Sequence, residues 1–435
     1  MNRRSLASAL LLLLPVSAGA QVADSAARDL LLERLMARIE SLERRVVELE
    51  RERGQPIAAA TPAPAATPGP AGITGLHDHD QTPALQTGNQ EATQPLLKIN
   101  GFGDIDFSAS NLHGASGGFE PATLLAPHTG FALGQTTLHL ISALTPKVSF
   151  FGEITFTART DAGVGTTPAP GFNPEVERLM VRYDANDYFK ISFGRYHTPI
   201  NYWNTAFHHG QWLQTTVSRP EMAQFGGSFI PVHFIGTLVE GALPAGGLNL
   251  NYNFGVGNGR GQVLSRGGDA GDINNNRAWL VNMFVKPNLP YGLQIGGSVY
   301  RDLVEPLGVP TAREWIQSGH LVWLKETPEL IAEFANVIHQ PFLGGPASRS
   351  QAWYVQTAYR LPWFQRMWKP YYRIEQIHVP RSDLAFRPVP TFTASTSGIR
   401  YDFSSLAAFK LEYRYYWRRD LVPIRGIFAQ TSFTF

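Results

Sequence analysis

From residue 97 onward the sequence repeats one unit: about ten residues in which apolar or aromatic side chains alternate with polar ones, followed by a break rich in Pro, Gly, Asp or Asn. A period of two places successive side chains on opposite faces of a strand, so each run is a strand with one apolar and one polar face. The runs fall at about 97–110, 131–144, 148–160, 174–184, 188–198, 227–242, 248–258, 277–287, 293–302, 314–325, 330–339, 351–361, 368–378, 392–402, 407–418 and 425–435. Their connections alternate in length. Thr145–Lys147, Asp184–Asp187, Leu243–Gly247, Asn288–Gly292, Glu326–Glu329 and Ser404–Leu406 are tight, while 111–130, 199–226 and 259–276 are long.

An even number of strands, with tight turns at one end and long loops at the other, is the pattern of an antiparallel barrel that crosses an outer membrane. Lipid satisfies no backbone N–H or C=O, so spanning strands must close into a ring. In the fifteenth run Phe409, Leu411, Tyr413, Tyr415 and Trp417 point one way, and Lys410, Glu412, Arg414, Tyr416 and Arg418 the other. A soluble barrel would bury the first set; here lipid takes it and the interior holds the charge. In the last run Ile427, Ala429, Thr431, Phe433 and Phe435 share a face, ending on an aromatic residue. The expected fold is all-β: a 16-stranded antiparallel transmembrane β-barrel at 97–435, preceded by a short N-terminal coiled-coil helix. A secreted β-sandwich or soluble sugar-binding β-protein would require neither the terminal Phe nor the leader and tether described next.

Arg3 and Arg4, the apolar stretch 6–15 and Ala18-Gly19-Ala20 form a secretory signal at 1–20, too short to span the roughly 30 Å of hydrocarbon as a helix. In 21–53, Leu32, Leu35, Ile39, Leu42, Val46 and Leu49 are spaced as alternating a and d positions of a heptad, with Arg38 and Arg45 at g facing Glu43 and Glu50 at e. The expectation is a short periplasmic coiled coil that self-associates, its copy number set largely by what it is tethered to. Residues 54–96 are a Pro/Ala-rich and then polar linker. His77-Asp78-His79-Asp80 reads as solvated linker rather than a metal site, because four neighbouring residues do not usually close on one ion.

The 435 residues contain no Cys, which removes disulfides, thiolate metal sites and thiol nucleophiles. With 37 basic and 35 acidic side chains there is no basic stripe for nucleic acid. Gly114-Ala115-Ser116-Gly117-Gly118 matches the G-x-S-x-G string but lies in a loop without a strand-to-helix turn, and 41 glycines make a chance match expected. No enzymatic activity and no cofactor are expected; a lipase at the outer rim, built on Ser116, ranks last.

Chemistry is expected in the lumen. Alternation aims Arg159, Arg178, Arg182, Lys190, Arg360, Arg373, Arg400, Arg414 and Arg418 inward, with Asp104, Asp106, Glu153, Glu375 and Glu412 opposing them. Within 97–435 there are 28 Lys/Arg, 21 of them Arg, against 24 Asp/Glu. Arginine's planar fork suits phosphate and carboxylate, so the bias leans to anionic solutes; the alternative is that these charges pair with one another across the wall. The loop 199–226 carries Tyr202, Trp203, Phe207, His208, His209, Trp212 and Arg219. Folded into the barrel it would narrow the pore, its aromatic rings offering sliding surfaces for sugars; outside, it would pack on the barrel or on a neighbouring subunit.

Signal, coiled coil, Pro/Ala linker, sixteen strands and terminal Phe together resemble the trimeric Gram-negative porins of the phosphate-selective O/P type and their coiled-coil-bearing relatives. The stretch Phe193-Gly194-Arg195-Tyr196-His197-Thr198-Pro199 is similar to that family's fifth strand running into its constriction loop. The resemblance covers nearly the whole mature chain in architecture but only short stretches in motif. It implies a homotrimer in the outer membrane, in contact with lipid and lipopolysaccharide, that passes small solutes by biased passive diffusion. Phosphate-specific members carry dense Lys and Arg tracks, whereas only seven Lys occur in 97–435 here. Two further readings stand beside an anion-biased porin: a carbohydrate-selective porin, and an envelope tether contacting the cell wall through the coiled coil.

Overall fold

The computed structural model describes residues 96–111, 129–158, 172–207, 210–224 and 229–435. The expected signal, the coiled coil with its core, the linker up to residue 95, Ser116, Arg159, His208 and His209 lie outside the described residues.

Sixteen strands form one closed antiparallel barrel in which each pairs with its sequence neighbours and the first pairs with the last. They are β1 (Leu97–Ser110), β2 (Gly130–Thr145), β3 (Val148–Ala158), β4 (Phe172–Asn186), β5 (Phe189–His197), β6 (His233–Leu243), β7 (Leu250–Asn258), β8 (Ala278–Val285), β9 (Leu293–Val304), β10 (Ala312–Leu324), β11 (Glu329–Pro341), β12 (Ser348–Ala358), β13 (Trp368–His378), β14 (Phe392–Asp402), β15 (Ala407–Arg418) and β16 (Ile424–Thr434). Among the described residues a short α-helix, α1 (Trp203–Ala206), and a 3-10 turn, Glu221–Ala223, lie between β5 and β6.

The alternation is physical. Along β15, Phe409, Leu411, Tyr413, Tyr415 and Trp417 are exposed, while Ala408, Lys410, Glu412, Arg414, Tyr416 and Arg418 are buried. The same inversion holds around the ring, with Phe131, Leu133, Val181, Phe193, Phe254, Trp315, Phe334, Val355 and Ile427 all on the outside. Water would penalise such a surface at roughly 25 cal/mol per Å² of apolar area, so the outer wall requires an apolar phase. Eleven-residue strands such as β13 rise about 36 Å along their axis, which at the usual barrel tilt spans about 25 Å of hydrocarbon.

Two strand boundaries differ from expectation. β6 begins at His233 rather than near 227, because Thr198–Val232 leaves the wall as one inserted segment, closed at its root by the Thr198 N–H donating to the Val232 carbonyl at 2.9 Å. β12 occupies 348–358 rather than 351–361. Beyond it, Arg360 turns aside to pair with Glu326 and Asp402, and Pro362 has no N–H to extend the ladder. A register shift between Glu153 and Ile154 bulges β4 and buries both Glu177 and Arg178.

Candidate functional site

The interior is organised by the inserted segment, which leaves between His197 and His233, cross-strand partners at the ends of β5 and β6. Asn204 fastens the root by donating its amide to the carbonyls of Thr198 at 2.7 Å and Val232 at 3.1 Å. From there the segment reaches β11, where Glu333 Oε1 accepts from the backbone N–H of Tyr202 at 2.6 Å and of Trp203 at 2.7 Å. The Trp203 indole is fully buried, edge-on to Phe207 and to Tyr354 of β12.

The chain then runs against β13–β15. Because β13 stands 13 − 5 = 8 strands from β5 in a ring of sixteen, the segment crosses the barrel from one wall to the other. Charged side chains of the far wall hold its backbone. Arg400 donates to the carbonyls of Trp212 at 2.8 Å and Gln214 at 2.9 Å. Arg373 donates to those of Ser218 and Arg219, both at 2.8 Å. Glu412 accepts from the N–H groups of Val217 at 2.9 Å and Ser218 at 3.3 Å, and Glu375 from that of Glu221 at 2.6 Å. Lys410 donates to the carbonyls of Gln211 and Thr216, and Glu329 accepts from the Thr215 hydroxyl. Charge-assisted bonds of this kind are about twice as strong as neutral ones, and here they satisfy a loop backbone buried away from solvent.

The residues expected to line a pore therefore divide by what they touch. Arg373, Arg400, Glu375 and Glu412 grip the inserted segment, and Arg414 braces Glu412 while stacking on the Phe428 ring at 3.9 Å. Arg178 is held by Glu153 at 2.6 Å, which also contacts His139 and His197. Arg182 is forked onto Asp184 at 2.7 and 3.0 Å. Asp104 and Asp106 are buried beside Gln135 and Gln430. Arg418 is buried near the Val422 carbonyl. Arg360 lies on no strand; it belongs to a rim cluster with Glu326, Asp402 and, through Glu326, Lys369. Lys190 makes no hydrogen bond or ion pair with any described residue. Of the loop candidates, Tyr202, Trp203, Trp212 and Arg219 are buried within the inserted segment.

On the near side of the segment lies a cavity of ≈ 810 Å³, open to solvent and lined by β4–β9 together with Asn201, Tyr202 and Thr205. Around its wall the register sets Lys190 beside Glu240, Glu240 beside Asn253, and Asn253 beside Asn282. Asn282 donates to Asn253 Oδ1 at 2.9 Å, while its own Oδ1, buried, has no partner among the described residues. Sequence reasoning missed these amides because it followed charge; the alternation that located Lys190 also turns Asn251, Asn253 and Asn282 inward. It missed Glu333 likewise, although Glu333 shares the inward face of β11 with Ile331 and Ala335.

No family model matches the chain, and no curated relative matches it. Solved structures do resemble it in shape. The outer membrane channel DcaP of Acinetobacter baumannii aligns with a TM-score of 0.51 at 12% identity, over 78% of this chain and 97% of DcaP. OmpT of Vibrio cholerae, in a trimer form, aligns at 0.49 and 11% identity, over 78% of this chain and 99% of OmpT. OprB of Pseudomonas putida aligns at 0.46 and 10% identity, over 78% and 94%. At this distance the DcaP likeness establishes a shared 16-stranded barrel fold.

Proposed function

We propose that this protein is an outer-membrane porin, a non-enzymatic passive channel for small hydrophilic solutes with a modest preference for anions. The observation that carries the reading is the segment crossing the barrel: it divides the interior and leaves a polar, water-accessible cavity along β4–β9. A barrel with an apolar outside and such an inside is suited to a solute path through lipid. Because the far-wall arginines and Arg182 are engaged with backbone and carboxylates, the anion preference is assigned to Lys190, supported by Lys286 on the same cavity wall. Assembly as a homotrimer, with the 21–53 helix self-associating in the periplasm and the outer wall against lipid and lipopolysaccharide, completes the proposal.

Reconstitution into planar bilayers tests it. Stepwise conductance is expected, with a reversal potential displaced toward anions that Lys190→Gln reduces and Arg178→Ala leaves largely in place. A cation-selective pore would remove the anion preference alone. Block by neutral sugars in place of anions would move the solute class toward carbohydrate. Absence of conductance in every variant would remove the channel.

A further inference from the structure

The connection between β13 and β14, residues 379–391, does not stay outside the barrel. Asp383, Ala385 and Phe386 are buried, and the Phe386 ring packs on Phe229 at 5.3 Å and edge-on to His339 of β11 at 4.6 Å. What fixes it is a chain of charges. His339 Nε2 lies 2.9 Å from Glu314 of β10, and its Nδ1 lies 2.8 Å from Asp383 Oδ1. Ser350 of β12 donates to Asp383 Oδ2 at 2.6 Å. Arg260 pairs with Glu314 at 3.2 Å, and its backbone N–H donates to Asp302 of β9, which also accepts from the Tyr300 hydroxyl.

An imidazole placed between two carboxylates donates to both only when both ring nitrogens carry protons. The groups facing it are then two carboxylates, Glu314 and Asp383, with Arg260 behind Glu314 and Asp302 behind Arg260. A neutral ring would leave one carboxylate without its donor in a site closed to water, a large penalty at low local dielectric. Asp383 belongs to the connection, whereas Glu314, His339 and Ser350 belong to the wall, so this contact, together with the packing of Phe386, ties the connection into the mouth.

We propose that residues 379–391 form an outer lid, latched by the Glu314–His339–Asp383 bridge, and that the structure described is the latched state. The inference rests on the channel reading. Release exposes Phe386 and opens the mouth between β11 and β14; deprotonation of His339 at alkaline pH, or loss of the Asp383 carboxylate, releases it.

The chain contains no Cys, which permits a clean lock. Ser350→Cys combined with Asp383→Cys joins the two positions already in contact, and conductance is recorded oxidised and then after dithiothreitol. The oxidised form is expected to conduct at or below the wild-type level and the reduced form severalfold above it. Wild type is expected to conduct more at alkaline pH, and Asp383→Asn to match the reduced form and show no such rise. Equal conductance in both redox states, or an Asp383→Asn pore indistinguishable from wild type at every pH, overturns the lid. A variant with 379–391 replaced by a short Gly-Ser turn separates the two levels of the argument. If it conducts while the lock has no effect, the lid alone fails; if neither it nor wild type carries current, the channel reading fails and the lid with it.

Discussion

Arg373 shows what a charge inside this barrel is engaged in. Its guanidinium, fully buried, donates to two loop carbonyls, to the Ser218 hydroxyl at 2.6 Å and to Glu375 at 3.0 Å. Arg373→Ala strips partners from buried acceptors and leaves Glu375 under-compensated, a class of change that costs about 3–5 kcal/mol. The expected outcome is a lower urea midpoint and faster limited proteolysis within 210–224. At the rim, Glu326 behaves differently. Burial alone would raise its carboxyl, but hydrogen bonds from Arg360 and the nearby Lys369 ammonium outweigh that and hold it at about 2, below its ordinary 4.5. A depressed carboxyl contributes stability that is complete above its unfolded value and is lost as pH falls from near 4.5 toward 2. Since the side chain is about a third exposed, solvent screening trims the contribution to about 1 kcal/mol. Glu326→Gln should therefore be destabilised by about that amount at pH 7, and the gap from wild type should close on acidification through that window. At this scale alternation carries the direction of Arg373 but not its partner. Alternation aims Arg373 inward, but Ser218 lies 155 positions away and reaches it only through a crossing that no local pattern encodes.

Strands were nearly all legible because lipid outside and polar groups inside impose opposite preferences at adjacent positions. The inserted segment was legible only in composition. Its aromatic residues marked it as a loop with something to bury, but Tyr202 and Trp203 depend on Glu333 of a strand more than 100 residues later. The error at the start of β6 has the same origin: 229–232 is apolar, as a strand would be, yet Phe229 and Ile230 are buried in loop packing instead. Glu333 is the point at which the element can be loosened. Glu333→Ala would leave two buried backbone donors unmet at about 1–3 kcal/mol each, whereas Glu333→Gln keeps one acceptor. Single-channel records should show added open-state noise and higher mean conductance for the alanine variant, and a smaller change for glutamine. Identical records for wild type and alanine would mean that the crossing is held without this contact.

For the whole molecule, the ring is closed where β1 meets β16. There the Gly101 N–H donates to the Phe435 carbonyl at 2.8 Å, and the Phe435 N–H donates back to Gly101 at 3.0 Å. The rings of Phe433 and of Phe435, just past the end of β16, lie over two glycines of β1. A Cβ built on Gly101 would meet the Phe435 ring at 2.3 Å, and one on Gly103 would meet Phe433 at 2.6 Å. Glycine on one side of the seam thus lets an aromatic ring on the other lie directly over it. The sequence displayed both halves, an alternating run ending in Phe433 and Phe435 and a first run containing Gly101 and Gly103, but nothing local pairs them across 330 or more positions. Gly101→Val should displace the Phe435 ring and cost about 1–3 kcal/mol as an overpacking change. Because the seam is the one place where sequence-distant strands must meet, that loss should fall on closure itself. The variant barrel is expected to convert from its compact to its unfolded electrophoretic form at a lower temperature than wild type. Combining Gly101→Val with Phe435→Ala should recover part of the difference by removing the collision. If the double variant melts at or below Gly101→Val, the ring stabilises the seam by more than the collision costs, and Phe435 rather than the glycine is the element that closure depends on.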